Sequence, residues 1–196
     1  MNEVDDVFET HVTVRCRDEG ELGRLGAWAA DRDLKVTTIV LARGSSRVQP
    51  MLTLRGRAGH PAVVSGLREA GFEPARVKVE TVPWSTEPAG PGGGYYEHHV
   101  KLALPAAYDR AALEELVVPH GAHVSWNARR VLGPGGRHER FVTRRHPGPA
   151  DAAGRACDAL IGVLVAAGYE PVAEEREFVV SDSDLSWDEG WLEEAV

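Results

Sequence analysis

The sequence has few cysteines, no long apolar run and few aromatic residues, and each of these absences excludes a class of protein. Only Cys16 and Cys157 are cysteines among the 196 residues, which excludes a disulfide-stapled scaffold and a cysteine-based zinc site. No apolar run approaches the ~20 residues that a membrane-spanning helix needs, and the acidic stretch at 1–10 does not have the pattern of a signal peptide. We therefore expect a cytoplasmic protein without a membrane partner.

Basic residues are in the minority, and the excess of acidic residues is confined to one segment. The chain has 22 Lys and Arg against 30 Asp and Glu, a formal net charge of −8. Residues 174–196 contain nine acidic residues and one arginine, which already sums to −8. Such a balance does not suit non-specific binding to a nucleic-acid backbone, and only Phe141 could stack a base on the predicted strands. A nucleic-acid partner is not expected.

Two halves of the chain match each other in order and in spacing. The spacing from His11 to Thr53 is 42 residues, and that from His99 to Thr143 is 44 residues. This agreement predicts an internal duplication. The matching segments are FETHVTV (8–14) with YYEHHVKL (95–102), QPMLTLR (49–55) with ERFVTRR (139–145), and LREAGFEP (67–74) with LVAAGYEP (164–171).

Each half has the pattern strand, helix, strand, strand, helix, strand, which is typical of the ferredoxin-like unit. The predicted fold class is therefore α+β, with duplicated ferredoxin-like βαββαβ units whose polar sheet faces form a cleft or barrel. We expect Trp187 and Trp191 to dock the C-terminal segment against the body. The predicted domains are repeat 1 at 1–82, a Pro/Gly linker at 83–94, repeat 2 at 95–181, and an acidic tail that contains tryptophan at 182–196.

Charged residues and histidines alternate with apolar residues along the first strand of each half. Because side chains alternate across a sheet, Glu9 and His11 are predicted to point away from the helix-covered face, as are Glu97, His99 and Lys101. The same alternation occurs on the solvated face of any antiparallel sheet, so that reading stays open. The repeated Glu-x-His pattern on a central strand favours a functional site.

The strand order 4-1-3-2 of a ferredoxin-like sheet predicts the neighbours of each histidine. His11 is expected beside Thr53 and Lys78. His99 is expected beside Thr143 and Glu175. Imidazoles, hydroxyls, acids and bases would then share one surface.

Two short motifs resemble those of known families. His11-Val12-Thr13 resembles the HxT motif of the 2H phosphoesterases, and the second half has His99-Val100-Lys101 at the matching place. The stretch 97–101 resembles the ExExK strand of the CYTH, or triphosphate tunnel, superfamily, with His99 at the middle acidic position. The second resemblance implies a polar barrel that binds a triphosphate through Lys and Arg, and a divalent metal through Glu.

The leading functional prediction is an enzyme, of phosphohydrolase or phosphoesterase type, that acts on a phosphorylated or otherwise anionic small molecule such as a nucleotide. Imidazole titrates near neutral pH, carboxylates bind hard divalent cations, and Lys and Arg bind anions. The alternative is a non-catalytic binding or interaction protein, with the acidic tail as a contact or lid. The predicted roles are catalytic for His11 and His99, substrate-binding for Lys78, Lys101, Thr143 and Arg145, and binding of magnesium or manganese for Glu9, Glu97 and Glu177.

Overall fold

The structure is a computed structural model that describes residues 7–129, 131–132 and 137–192. These residues contain nine strands and four α-helices. The strands are β1 Phe8–Arg15, β2 Lys35–Leu41, β3 Val48–Arg55, β4 Glu73–Thr81, β5 Tyr95–Leu104, β6 Ala122–Asn127, β7 Val131–Leu132, β8 Arg137–His146 and β9 Pro171–Asp182. The helices are α1 Glu19–Ala30, α2 His60–Glu69, α3 Arg110–Val117 and α4 Ala150–Ala166, and Val118–His120 and Leu185–Asp188 are short 3-10 helices. No helix in the described ranges is both long and apolar enough to cross a membrane.

Eight of the strands form one closed antiparallel barrel. The order around the sheet is β5-β9-β4-β1-β3-β2-β6-β8, and β8 pairs again with β5 to close it. The two-residue strand β7 pairs with the start of β8. Closure removes the unpaired edges that an open sheet would expose.

The predicted fold class, two tandem ferredoxin-like α+β units, is wrong, and the prediction of an internal duplication is wrong with it. The described chain is mostly sheet, and strands from the two halves pair directly instead of forming separate sheets. β4 pairs with β9, with Lys78 opposite Asp182, and β2 pairs with β6, with Val40 opposite Trp126. Each edge strand thereby finds its missing backbone partner in the other half of the chain, and a single sheet results.

The helices pack on the outside of the barrel, where the apolar residues of the strands meet them. Val12 and Leu52 pack with helical Leu25 in one cluster, and Val100 packs with Leu160 in another. All five of these side chains are fully buried. Because side chains alternate along each strand, the intervening polar residues point into the barrel.

The C-terminal segment covers one end of the barrel. Trp187 and Trp191 are each 5% exposed, which confirms the prediction that this segment docks. Trp191 packs against Leu41, and its indole Nε1 donates a hydrogen bond to the carbonyl of Val124 at 3.2 Å. Burial of both the aromatic ring and its one polar atom fixes the segment in place.

The segment predicted as a linker, 83–94, runs back along β9 at the same end of the barrel. The amide of Gly94 donates to the carbonyl of Val179 at 2.8 Å. A Cβ atom on Gly93 would lie 2.0 Å from the carbonyl oxygen of Val180. Only glycine allows so close an approach of the two backbones.

Candidate functional site

The barrel encloses a cavity of about 190 Å³, and its lining is built from the alternate, inward-facing residues of the strands. The docked C-terminal segment contributes Asp188 and Trp191 at one end. Glu9 and Glu175, at the other end, are exposed to solvent. The strand residues that line the cavity are Glu9, His11, Thr13, Ile39, Leu41, Gln49, Met51, Arg76, Lys78, Glu80, Glu97, His99, Ser125, Phe141, Thr143, Glu175 and Glu177.

His11 lies in this cavity with the neighbours that alternation and strand order predicted, opposite Thr53 on β3 and opposite Lys78 on β4. Its Nδ1 is 3.2 Å from the hydroxyl of Thr53. Its Nε2 is 2.8 Å from a carboxylate oxygen of Glu80 and 3.2 Å from one of Glu9. Both ring nitrogens are therefore held.

The protonation of His11 follows from these contacts. Burial alone would lower its pKa, but the negative charge of Glu80 and the hydrogen bonds to Glu80 and Glu9 outweigh burial and raise the pKa to about 9. Burial would likewise raise the pKa of Glu80, but the charges of Lys78 and His11 hold it down at about 2. At neutral pH His11 is a fixed positive charge, not a proton acceptor.

His99 also has its predicted neighbours, Thr143 on β8 and Glu175 on β9, but it is held differently. Its Nδ1 is 2.8 Å from the hydroxyl of Thr143, which is itself fully buried. Its Nε2 is 3.4 Å from an oxygen of Glu177 and 3.7 Å from one of Glu97. These two distances exceed the usual hydrogen-bond range, so this nitrogen is more weakly held than the corresponding nitrogen of His11.

The pKa values of His99 and Glu177 both lie above their ordinary values. Burial lowers the pKa of His99, but the contact with Glu177 and the negative charges of Glu177 and Glu97 raise it above its ordinary value of 6.5. Burial and the nearby charge of Glu80 raise the pKa of Glu177 above 4.5, against the effect of His99. Each group therefore favours its protonated form more than it would in water.

Lys78 and Arg145 lie in the barrel as predicted, but each already forms ion pairs with two carboxylates. Lys78 Nζ is 2.5 Å from Glu80 and 3.1 Å from Glu97. The Arg145 guanidinium is 3.0 Å from Glu97 and 2.6 Å from Asp188. Burial opposes ionisation of all these groups, but the opposite charges prevail: they raise the pKa of Lys78 and Arg145 and hold that of Glu97 well below its usual range.

Lys101, the remaining predicted anion-binding cation, lies apart from these pairs. It is not among the described residues that line the cavity. Its Nζ is 3.9 Å from Glu139 and 5.2 Å from the centre of the Phe141 ring. Lys101 is two residues beyond His99 on β5, towards the end of the barrel opposite the C-terminal segment.

A second cluster of charges joins the C-terminal segment to the barrel. The Arg76 guanidinium contacts Asp182 at 2.5 Å and Asp188 at 2.7 Å, and the hydroxyl of Tyr95 donates to Asp182 at 2.7 Å. Arg76 lies two residues before Lys78 on β4, so alternation directs both side chains into the barrel. No local pattern indicated that Asp188, which lies outside the strands, would reach it.

The predicted metal ligands Glu9, Glu97 and Glu177 do not come together as a metal centre. In the ranges that the structure describes, no group of three or more His, Cys, Asp or Glu side chains is arranged to hold a metal ion. Glu97 is already bound by Lys78 and Arg145. The residues present thus do not fit the proposed magnesium or manganese ion.

One wall of the cavity is apolar, which the sequence-based site did not include. Two aromatic residues belong to it, and Phe141 lies on β8 directly opposite Ser125 on β6. Alternation along the strands was the only signal for these positions. The apolar lining residues are Ile39, Leu41, Met51, Phe141 and Trp191.

Comparison with known proteins identifies no family for this chain. No protein-family model matches it, and no curated protein matches it either. Among solved structures, the acetolactate synthase small subunit from Thermotoga maritima aligns with 88% of this chain and 94% of its own at 11% identity, with a TM-score of 0.33. A score of that size supports no argument about function, so the site has to be interpreted from its own chemistry.

Proposed function

We propose that the protein is an enzyme that acts on a small molecule inside the barrel by general acid–base catalysis, with His99 as the group that transfers the proton. The observation that carries this proposal is the setting of its imidazole. Nδ1 is fixed by the hydroxyl of Thr143 at 2.8 Å, whereas Nε2 lines the cavity with no contact shorter than 3.4 Å among the described carboxylates. An imidazole oriented at one nitrogen and accessible at the other suits proton transfer.

Glu177 completes the pair in this proposal. Protonated His99 is the acid, and ionised Glu177, next to it, is the base. A proton taken from one ligand atom by Glu177 can then be replaced at another by His99. The pKa of each group is shifted above its ordinary value. A ligand that changes the charge around the pair therefore changes their protonation states.

His11 has a different role here, although the sequence pattern treats the two histidines alike. Its Nε2 is bound by Glu80 at 2.8 Å, and its pKa of about 9 keeps it charged at neutral pH. It stabilises the buried carboxylates that surround it and orients the polar wall. Of the two histidines, we therefore assign proton transfer to His99.

The phosphorylated or otherwise anionic substrate, and with it phosphohydrolase chemistry, has less support. Two of the three cations named for it, Lys78 and Arg145, are each bound by two carboxylates. Lys101 is the cation that remains. A non-catalytic binding protein is the second candidate, and it is favoured by the docked C-terminal segment, which closes one end of the barrel as a simple binding protein would require.

The experiment compares turnover by the wild type and the variant His99→Asn. Each protein is incubated with a cell-free metabolite extract, and consumption of compounds is followed by mass spectrometry. We expect at least one compound to be consumed by the wild type, at a rate that falls by roughly 100-fold or more in His99→Asn, the usual loss for a general acid or base.

The control is His120→Asn, at a half-buried histidine after α3 that does not line the cavity, and its rate should equal that of the wild type. Circular dichroism would verify that each variant is folded. Equal turnover by His99→Asn would contradict the assignment of His99. Ligand binding without turnover by any of the proteins would favour the non-catalytic alternative.

A further inference from the structure

We infer that the ligand of the barrel is a small organic cation: an amine that is protonated at neutral pH and carries an apolar group. The inference rests on the proposed function only in taking the barrel interior as the ligand site. It does not require His99 to be catalytic. Three features of the lining support the inference: the excess of carboxylates over cations, the ion pairs that already bind the cations, and the aromatic residues in the lining.

Carboxylates outnumber cations in the lining. Six acidic side chains face the cavity, against two permanent cations and the two histidines. Arg145 lies beside the lining and binds two of these acids, Glu97 and Asp188. Even with Arg145 counted and both imidazoles protonated, the acids exceed the bases by six to five. A low-dielectric site with excess negative charge attracts cations and repels anions. The acidic residues are Glu9, Glu80, Glu97, Glu175, Glu177 and Asp188, and the permanent cations are Arg76 and Lys78.

The two permanent cations have no free capacity for an anionic ligand. Arg76 makes two hydrogen bonds to Asp182 and two to Asp188. Lys78 is held between Glu80 and Glu97. An anion would have to displace a buried carboxylate from one of them, and that would leave the displaced charge unpaired at high cost.

Glu175 and Glu177, on the side of the solvent-exposed end, form fewer ion pairs and hydrogen bonds than the two cations do. Within the described ranges, Glu175 forms no ion pair or side-chain hydrogen bond, and Glu177 has only the 3.4 Å contact with His99. Both lie on β9 two residues apart, so they point to the same side of the strand, into the cavity. They offer oxygen acceptors to an ammonium group that enters from this end.

The apolar part of the lining offers aromatic and aliphatic surface to the rest of the ligand. Phe141 and Trp191 line it together with aliphatic residues. An aromatic face attracts an organic cation through its quadrupole. Because the ammonium of Lys101 already lies 5.2 Å from the centre of the Phe141 ring, we assign the ammonium of the ligand to the carboxylates and its apolar group to the aromatic wall. A lining that combines carboxylates with aromatic carbon is complementary to an alkyl or arylalkyl ammonium ion.

The size of the cavity limits the ligand. Its volume of about 190 Å³ is below the roughly 300–1,000 Å³ of sites that hold drug-sized molecules. A molecule with a short alkyl chain or one aromatic ring meets this limit. A nucleotide or another triphosphate exceeds it.

The test measures binding of matched probes by isothermal titration calorimetry at low salt. Butylamine and 2-phenylethylamine are the cations, 2-phenylethanol is the neutral probe of the same shape, and phenylacetate is the anion. We expect at least one amine to bind at millimolar concentrations or below, the alcohol to bind at least about tenfold more weakly, as loss of a charged hydrogen bond implies, and the anion to bind more weakly still. Glu177→Gln should weaken amine binding by about tenfold.

The matched control is Glu115→Gln, which removes an exposed carboxylate on α3 that does not line the cavity and should leave the affinity unchanged. His99→Asn should lose turnover but bind the amine within about threefold of the wild type, which separates this inference from the proposed function. Binding of the alcohol or of phenylacetate as tightly as the amines would overturn the inference. The inference would also be overturned if the wild type turned over an anionic compound and bound neither amine. The proposed function would then hold without the inference about the ligand.

Discussion

Replacement of Asp188 by asparagine should destabilise the protein strongly, because this carboxylate is the common partner of the buried Arg76 and the mostly buried Arg145. Its oxygens are 3.0 and 2.7 Å from the guanidinium of Arg76 and 2.6 Å from that of Arg145. Asp188 is 2% exposed, and the Arg76 side chain is 5% exposed. The substitution keeps the shape of the side chain and removes its charge.

The expected loss can be worked out from the partners that remain. Removal of one member of a buried ion pair costs about 3–5 kcal/mol, because the other charge is left uncompensated. Arg76 keeps its two hydrogen bonds to Asp182, and Arg145 keeps Glu97. Neither arginine is left alone, so we expect a loss at the lower end, about 3 kcal/mol of the free energy of unfolding.

Urea denaturation followed by tryptophan fluorescence is the appropriate assay, because Trp187 and Trp191 lie beside Asp188 and change environment when the segment leaves. The matched control is Asp158→Asn, which breaks a solvent-exposed pair with Arg176 and should cost at most about 1 kcal/mol. The free energy of unfolding of the two variants should fall with urea concentration at the same slope. The difference between their unfolding midpoints then reports a difference in stability. A loss for Asp188→Asn no larger than that of the control would refute the reasoning about the buried pair.

The remaining predictions concern the C-terminal segment, the partly buried His11 and the buried His98. Truncation after Ser181 should lower the melting temperature, since it removes the buried Trp187 and Trp191; an unchanged value would show that the segment adds no stability. The raised pKa of His11, about 9, means that its stabilisation is complete below about pH 6.5 and is lost as the pH rises towards 9, by up to about 3 kcal/mol. Urea denaturation between these values should show a smaller decline in the variant His11→Asn, and an equal decline would contradict the assignment. Burial lowers the pKa of His98 to about 4, so stability should fall as the pH falls from about 6.5 towards 4, and His98→Gln should reduce that fall if the group is responsible.

Much of the candidate site could be predicted from strand alternation. The period of two predicted which side of β1 carries Glu9 and His11 and which side of β5 carries Glu97 and His99, and all four line the cavity. The cross-strand neighbours of both histidines were also predicted correctly. These predictions succeed because alternation is a property of the extended backbone itself and does not depend on the final assembly.

Alternation could not predict whether each charged side chain of the site is ion-paired or accessible to a ligand. His11 and His99 occur in the same Glu-x-His pattern, yet Glu80 binds the first at 2.8 Å and Glu177 is 3.4 Å from the second. Lys78 is a cation in the sequence, but in the fold it is neutralised by two carboxylates. Distances of this kind depend on how several strands pack together. A difference of less than ~1 Å decides whether a carboxylate binds a histidine or leaves it accessible to a ligand.

The sequence by itself determined the local elements, the polar and apolar faces of the strands, and the burial of the C-terminal indoles. Only the tertiary structure decided that β4 pairs with β9 and β2 with β6, so that one closed barrel replaces two predicted sheets. The physical reason is that backbone hydrogen-bonding groups are the same on every strand, so an edge strand carries no local signal that names its partner. Closure then turned two faces that could have been solvated into one enclosed interior, and it brought Asp188 from the end of the described chain to the arginines of both halves.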